Sequence, residues 1–193
     1  MGTMLQAHDL TLEDFEGHEG CNEILNVTRP DVVRAVHDAY FEVGVDLVET
    51  NTFGANWANL AEYDITERIE ELAQAGARIA RESADHWSTP QQPRFVIGSV
   101  GPGTKLPTLG HAPYALLRDA YQRQVEGMLA GGVDAVLVET VQDVLQAKAA
   151  LVGARRAMDA VGSSAVLIAQ ITVETTGTML VGTETSAALV ALE

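Results

Sequence analysis

Two carboxylates are placed where they could do chemistry. Glu139 follows Val136-Leu137-Val138, and Glu49 follows Leu47-Val48. A carboxylate that ends an apolar strand in a barrel faces a partly desolvated mouth, where it can bind an ammonium group or act as a base. The bland alternative is a structural carboxylate bonded to a loop amide. Glu49 opens a polar rim, Glu49-Thr50-Asn51-Thr52-Phe53. Consecutive strand residues point in alternate directions, so only some of Glu49, Thr50 and Asn51 face inward. Ser99 belongs to the Gly-rich stretch Gly98-Ser99-Val100-Gly101-Pro102-Gly103-Thr104-Lys105. That stretch lacks the Gly-Lys-Ser/Thr ending of a phosphate-binding loop. Its glycines suit a tight loop that brings backbone close to a ligand, with Ser99 in the lining.

Other reactive side chains are sparse. Cys21 is the one cysteine, which excludes an intrachain disulfide, and it has no histidine at a motif spacing. His8, His18, His37, His86 and His111 form no i,i+4 ligand pair and read as surface or capping residues. A thiolate-rich zinc site within these residues is therefore not expected. Trp57 and Trp87 read as packing residues. The formal charge of −15 disfavours nucleic acid and anionic membranes as partners. No apolar run approaches the roughly 20 residues that span a bilayer. Met1–Gln6 carries no basic segment followed by an apolar one, so a cytoplasmic location is the expectation.

The elements that must position these residues alternate. Helices are expected from Pro30 to Gly44, Thr66 to Asp85, Pro113 to Ala130 and Val144 to Ala160, with a last one opening at Glu184 or Thr185. The first carries Val32, Val36, Ala39, Tyr40 and Val43 on one face; the second carries Ile69, Leu72, Ala73, Ile79 and Ala80. Strands are expected at Val45–Thr50, Arg94–Val100, Asp134–Thr140 and Ala165–Val173. Residues 1–28 read as irregular, with a remnant of an earlier strand near Met1.

Alternating strands and helices make a parallel sheet covered by helices. The strands are apolar nearly throughout, as when both faces are buried. An open doubly wound sheet and a closed barrel compete. Three features favour the barrel. Gly44-Val45-Asp46 leading to Val48-Glu49-Thr50 is echoed by Gly132-Val133-Asp134 leading to Val138-Glu139-Thr140. Polar residues collect at every strand's carboxyl end. No Gly-x-Gly-x-x-Gly opens a first βαβ unit. The expected fold is α/β, a parallel (βα)8 TIM-type barrel. A barrel needs about 250 residues, so residues 1–193 read as one incomplete barrel domain holding about the first five βα units. Its open strand edge predicts self-association.

Several segments, taken together and in order, resemble the homocysteine S-methyltransferase family. They are Met1-Gly2-Thr3-Met4-Leu5-Gln6, Gly20-Cys21-Asn22-Glu23-Ile24-Leu25-Asn26, Thr28-Arg29-Pro30-Asp31, Val48-Glu49-Thr50-Asn51-Thr52-Phe53-Gly54-Ala55-Asn56, Gly98-Ser99-Val100-Gly101-Pro102 and Leu137-Val138-Glu139-Thr140. Gly-Cys-Asn-Glu before Thr-Arg-Pro is similar to the cobalamin-dependent methionine synthase branch. The resemblance implies a barrel whose mouth binds homocysteine. Glu139 would take the amino group, Gly2 and Thr3 would lie near the amino-acid end, and Thr50, Asn51 and Ser99 would line the site.

The resemblance also implies that three cysteine thiolates hold a zinc ion, which takes the substrate thiol as fourth ligand. Methylcobalamin, recharged by methyltetrahydrofolate, would then methylate that thiolate to give methionine. Folate- and cobalamin-binding domains of the same parent chain are the implied partners. Met1-Gly2-Thr3 matches only the end of the family's Asp-Gly-x-Met-Gly-Thr motif. The zinc cysteines are expected beyond Glu193, in an Asn-Cys and a Gly-Gly-Cys-Cys segment, and Cys21 matches neither. No catalytic or metal-binding residue is therefore expected within residues 1–193, and these residues alone are expected to be inactive. Alternatives are a homocysteine methyltransferase using betaine or S-methylmethionine, and a non-catalytic assembly fragment.

Overall fold

A computed structural model describes residues Met1–Leu192. Four strands form one sheet: β1 (Leu47–Glu49), β2 (Phe95–Val100), β3 (Ala135–Val141) and β4 (Val166–Ile171). The long helices are α1 (Pro30–Glu42), α2 (Ile69–Trp87), α3 (Tyr114–Ala130), α4 (Val144–Val161) and α5 (Thr185–Leu192). All strand pairs are parallel, and the spatial order is β1-β2-β3-β4.

That order separates the two candidate architectures. A doubly wound sheet reverses its strand order partway and carries helices on both faces. Here each strand is added beside the previous one. Right-handed crossovers then place every intervening helix on the same side. Accordingly α2 packs on α3 and α3 on α4. Val48, Val96, Val136 and Val138 are buried in the core shared with these helices. The sheet is an arc of the barrel type, concave on the side away from the helices.

Local sequence explains the element ends. Pro30 starts α1, where its missing N–H removes no helical bond. Asp143 caps α4 by accepting from the backbone N–H of Leu145 and Gln146. Gly162, at φ 62°, ends that helix in a left-handed conformation. Gly44 (φ 97°) and Gly132 (φ 92°) turn the chain from helix into β1 and β3, which gives the Gly-Val-Asp repeat its physical basis.

Three expectations need correction. Gly2–Leu5 is a short helix rather than the remnant of a strand, and its Leu5 joins Leu25, Val32, Val33, Val36 and Ile79 in a satellite core. The buried face of α1 is Val32, Val33, Val36, His37 and Phe41, whereas Tyr40 and Val43 are exposed. Val33, His37 and Phe41 take the core positions that Ala39, Tyr40 and Val43 are expected to hold. Lastly, the strands are not buried on both faces. Leu47, Phe95, Val166 and Ile168 are exposed on the concave side, since the described residues place nothing across from them. The predicted stripe of α2 is buried throughout.

Helix packing relies on missing side chains. A Cβ on Gly127 of α3 would lie 2.5 Å from the Glu70 carbonyl oxygen of α2, and one on Gly153 of α4 would lie 2.5 Å from the Arg118 carbonyl oxygen of α3. Both helices approach too closely for any side chain there. Alanine ordinarily favours a helix over glycine by about 1 kcal/mol. Gly127→Ala is nonetheless expected to destabilise the fold by about 1–3 kcal/mol through overpacking. Urea denaturation checks this, and a more stable variant would contradict it.

Candidate functional site

The carboxyl ends of β1, β2 and β3 open into a cavity of about 520 Å³. Its wall includes Met1, Gly2, Asn22, Glu23, His37, Tyr40, Glu49, Asn51, Ser99 and Glu139. Concave, partly apolar clefts at this end of a barrel-type sheet are the usual ligand sites.

Glu139 is held from two directions. The Ser99 hydroxyl donates to its Oε1 at 2.6 Å. Backbone geometry supplies the second constraint. The β3–β4 register shifts between Val138 and Val141, and Thr140 adopts φ 59°. A bulge of this kind re-aims a side chain, and a threonine in the left-handed region is strained. The irregularity falls at the one β3 carboxylate that reaches the cavity.

Ser99 is fixed in turn by the loop after β1. Its backbone N–H donates to Thr50 Oγ1 at 3.0 Å, and its carbonyl accepts from Thr52 Oγ1 at 2.8 Å. The two threonine hydroxyls bond each other at 2.6 Å. Asn51 donates to the Asn22 carbonyl at 2.8 Å and to Asn26 Oδ1 at 3.0 Å. Asn26 donates to the Asn51 and Leu72 carbonyls. Gln124 donates to the Thr52 carbonyl at 2.8 Å. Thr50, Asn51 and Thr52 are all buried. Their polar atoms mostly satisfy one another, so this rim is chiefly a scaffold that also forms cavity wall at Thr50 and Asn51.

Gly2 lines the cavity; Thr3 is exposed and does not. The Gly-rich stretch contributes Ser99 alone to the wall. Its glycines serve loop packing instead. A Cβ on Gly101 would lie 2.6 Å from the Phe53 carbonyl oxygen, and one on Gly103 2.6 Å from Asn56 Oδ1.

Four ionisable groups besides Glu139 line the wall. Glu49 reaches the cavity and is half-buried, and its pKa is raised, first by burial and then by the neighbouring Glu139. Glu23 is buried, accepts from the Gly54 N–H at 2.7 Å, and has its pKa raised by burial. Tyr40 stands on the cavity side of α1. His37, expected at the surface, is 1% exposed, and its Nε2 has no hydrogen-bond partner among the described residues. The available signal was a histidine and a tyrosine three apart on α1, where the helical stripe needs inward-facing residues. Cys21 is buried next to Glu23, and burial pushes its thiol up to about 12, so it is an inert thiol rather than a thiolate. Among the described residues no group of three histidine, cysteine or acidic side chains is placed to hold a metal ion. Among them, too, no helix is long and apolar enough to cross a membrane.

A sequential parallel sheet with a carboxylate-bearing mouth defines a barrel-type domain, and comparison with known proteins places it. The family model described as homocysteine S-methyltransferase matches residues 1–193, so the chain belongs to that family. It is 61% identical to a methionine synthase of Mycobacterium tuberculosis (strain ATCC 25618 / H37Rv) and 60% identical to one of Mycobacterium leprae (strain TN), over 193 residues in each case. All of the chain is covered, but it spans 16% of the length of either relative. Among solved structures, the metallated form of the homocysteine methyltransferase MmuM from Escherichia coli matches with a TM-score of 0.73 at 21% identity. That match covers 100% of this chain and 67% of the other and shows a shared fold.

His37 makes stability depend on pH. Burial holds its pKa down at about 4, against an ordinary value of 6.5. Between those values the unfolded chain takes up a proton that the folded chain refuses. Its contribution is full above about pH 6.5 and is lost as pH falls toward 4. His37→Phe is expected to lose less stability than the parent between pH 7 and 5.5, as read from urea midpoints. Equal losses would contradict it.

Proposed function

We propose that this chain is the homocysteine-recognising part of a methionine synthase. In this reading the cavity binds the amino-acid end of homocysteine, and Glu139 accepts from its ammonium group. The observation that carries the reading is Glu139 itself, an acceptor held by Ser99 in a cavity whose lining includes no lysine or arginine. Such a site favours a cation. Gly2 is in position to meet the rest of the amino-acid end, with Thr3 beside it, while Thr50 and Asn51 keep the wall in place.

The relatives named methionine synthase extend the proposal to the reaction. In the whole protein, methylcobalamin recharged by methyltetrahydrofolate would supply the methyl group that the homocysteine thiolate takes up to give methionine, the cobalamin being the leaving group. Zinc would supply a thiolate at neutral pH by lowering the thiol pKa. The residues described here do not fit that ion. Cys21 is the single cysteine, it is buried as a thiol, and no triad of ligands surrounds it. We therefore assign the zinc cysteines, and the folate- and cobalamin-binding partners, to sequence outside residues 1–193. The part played by this chain is to bind and orient the substrate.

Isothermal titration with homocysteine tests the reading. Glu139→Gln keeps the shape and a hydrogen-bonding oxygen but removes the charge. Losing a charge-assisted hydrogen bond in a partly buried site corresponds to about a 10- to 100-fold weaker Kd. An unchanged Kd in a folded variant would refute the assignment.

A further inference from the structure

Glu49 and Glu139 stand on the same face of the sheet. Glu49 is level with Ile97 of β2, and Ser99 is level with Leu137 of β3. Strand residues two apart share a face, so Glu49, Ile97, Ser99, Leu137 and Glu139 all turn to the concave side. The hydrogen bond from Ser99 to Glu139 agrees with that parity across the bulge.

The two carboxylates differ in their partners. Glu139 has Oε1 engaged by Ser99 and only a long contact, 3.4 Å, from Thr140 Oγ1 to Oε2. Glu49 makes no side-chain hydrogen bond or ion pair among the described residues, although it lines the same cavity. Glu23 adds a third carboxyl to the wall, but that one is committed to Gly54. The lining holds no lysine or arginine side chain. His37 also lines it, buried and with Nε2 unpartnered. With its pKa near 4 that imidazole is neutral at physiological pH and cannot balance the acids. Burial and Glu139 together make ionised Glu49 costly without a cation.

An ammonium group carries three N–H donors, and leaving them unpaired in a desolvated site is unfavourable. Glu139 already accepts from Ser99 at Oε1, so Oε2 is its one oxygen without a close donor. We propose that Glu49 is a second carboxylate for the substrate's ammonium group, selecting an amino acid over thiol acids that lack the amine. This rests on the homocysteine reading above. Among the described residues, an unpartnered acid, an unpartnered histidine and a lining without lysine or arginine suit a ligand that brings its own positive charge and donors.

The test compares two ligands of the full-length protein by isothermal titration. One is homocysteine; the other is 4-sulfanylbutanoate, the same molecule without its amino group. The parent protein is expected to prefer homocysteine. Glu49→Gln shrinks that preference about tenfold, equivalent to about 1.4 kcal/mol, by weakening homocysteine and leaving the thiol acid unchanged or tighter. Glu49→Asp, which keeps the charge, retains most of the preference. Should Glu49→Gln fail to fold, Glu49→Ala reads the same ratio. If the preference collapses in Glu139→Gln but is unchanged in the Glu49 variants, the role of Glu49 is overturned and the homocysteine reading stands. If Glu139→Gln also leaves the preference intact, the homocysteine reading itself fails, and this inference with it.

Discussion

Ser99 ties the ends of β1 and β2 together and then reaches Glu139. Its N–H and carbonyl are both engaged by threonine hydroxyls of the loop after β1. Its own hydroxyl is left for the carboxylate on β3. Three neighbouring strands are thereby joined at the mouth by side-chain bonds, beyond their backbone ladders. These groups are buried or nearly so, and a buried polar group left unpaired costs about 1–3 kcal/mol. The network is consequently kept whole or lost together, which suits a site that must hold one carboxylate in one orientation.

The surrounding structure supports that network. Asn26 and Asn51 bond each other and the backbone carbonyls of Asn22, Asn51 and Leu72, which anchors the rim to the turn before α1 and to α2. Gly76 on α2 leaves the space they need, since a Cβ there would lie 2.6 Å from Asn26 Nδ2. Gln124 on α3 holds the Thr52 carbonyl, and Asp143 links the start of α4 to Thr108. Helices outside the arc thus fix the loops at its mouth. The division is the one expected of barrel-type enzymes, in which packed elements supply rigidity and the strand ends supply chemistry.

Charge is distributed with the same economy. The chain carries 27 acidic and 12 basic residues, and its arginines are largely paired at the outer surface or at helix junctions. Arg94, by contrast, is buried at the far end of β2, donating to the Gly44 and Val45 carbonyls. Among the described residues, lysine and arginine side chains are thus kept away from the cavity and its carboxylates. In the proposed reading, such a site would bind an ammonium group by exchanging water for carboxylate oxygens, so the net gain would depend on preorganised acceptors.

Periodicity and punctuation determined the element order, because buried helices and strands impose distinct spacings and Gly, Pro and Asp mark their ends. The strands around Val48, Val96, Val136 and Val166, and the stripe of α2, were legible on that basis, and the mouth position of Glu139 followed from the rule for strand ends. Tertiary structure decided what spacing does not encode. It chose the sequential strand order over the doubly wound one, a matter of which edges meet. It turned Thr50, Asn51 and Thr52 largely into a scaffold, because their partners lie 25 to 72 residues away in the chain, on Asn22, Asn26, Ser99 and Gln124. It buried His37, since a histidine on an amphipathic helix faces whichever way the neighbouring helix demands. And it brought Glu49 to the same cavity as Glu139, although 90 residues separate them, because the register of three parallel strands, and not the chain between them, sets which side chains share a face.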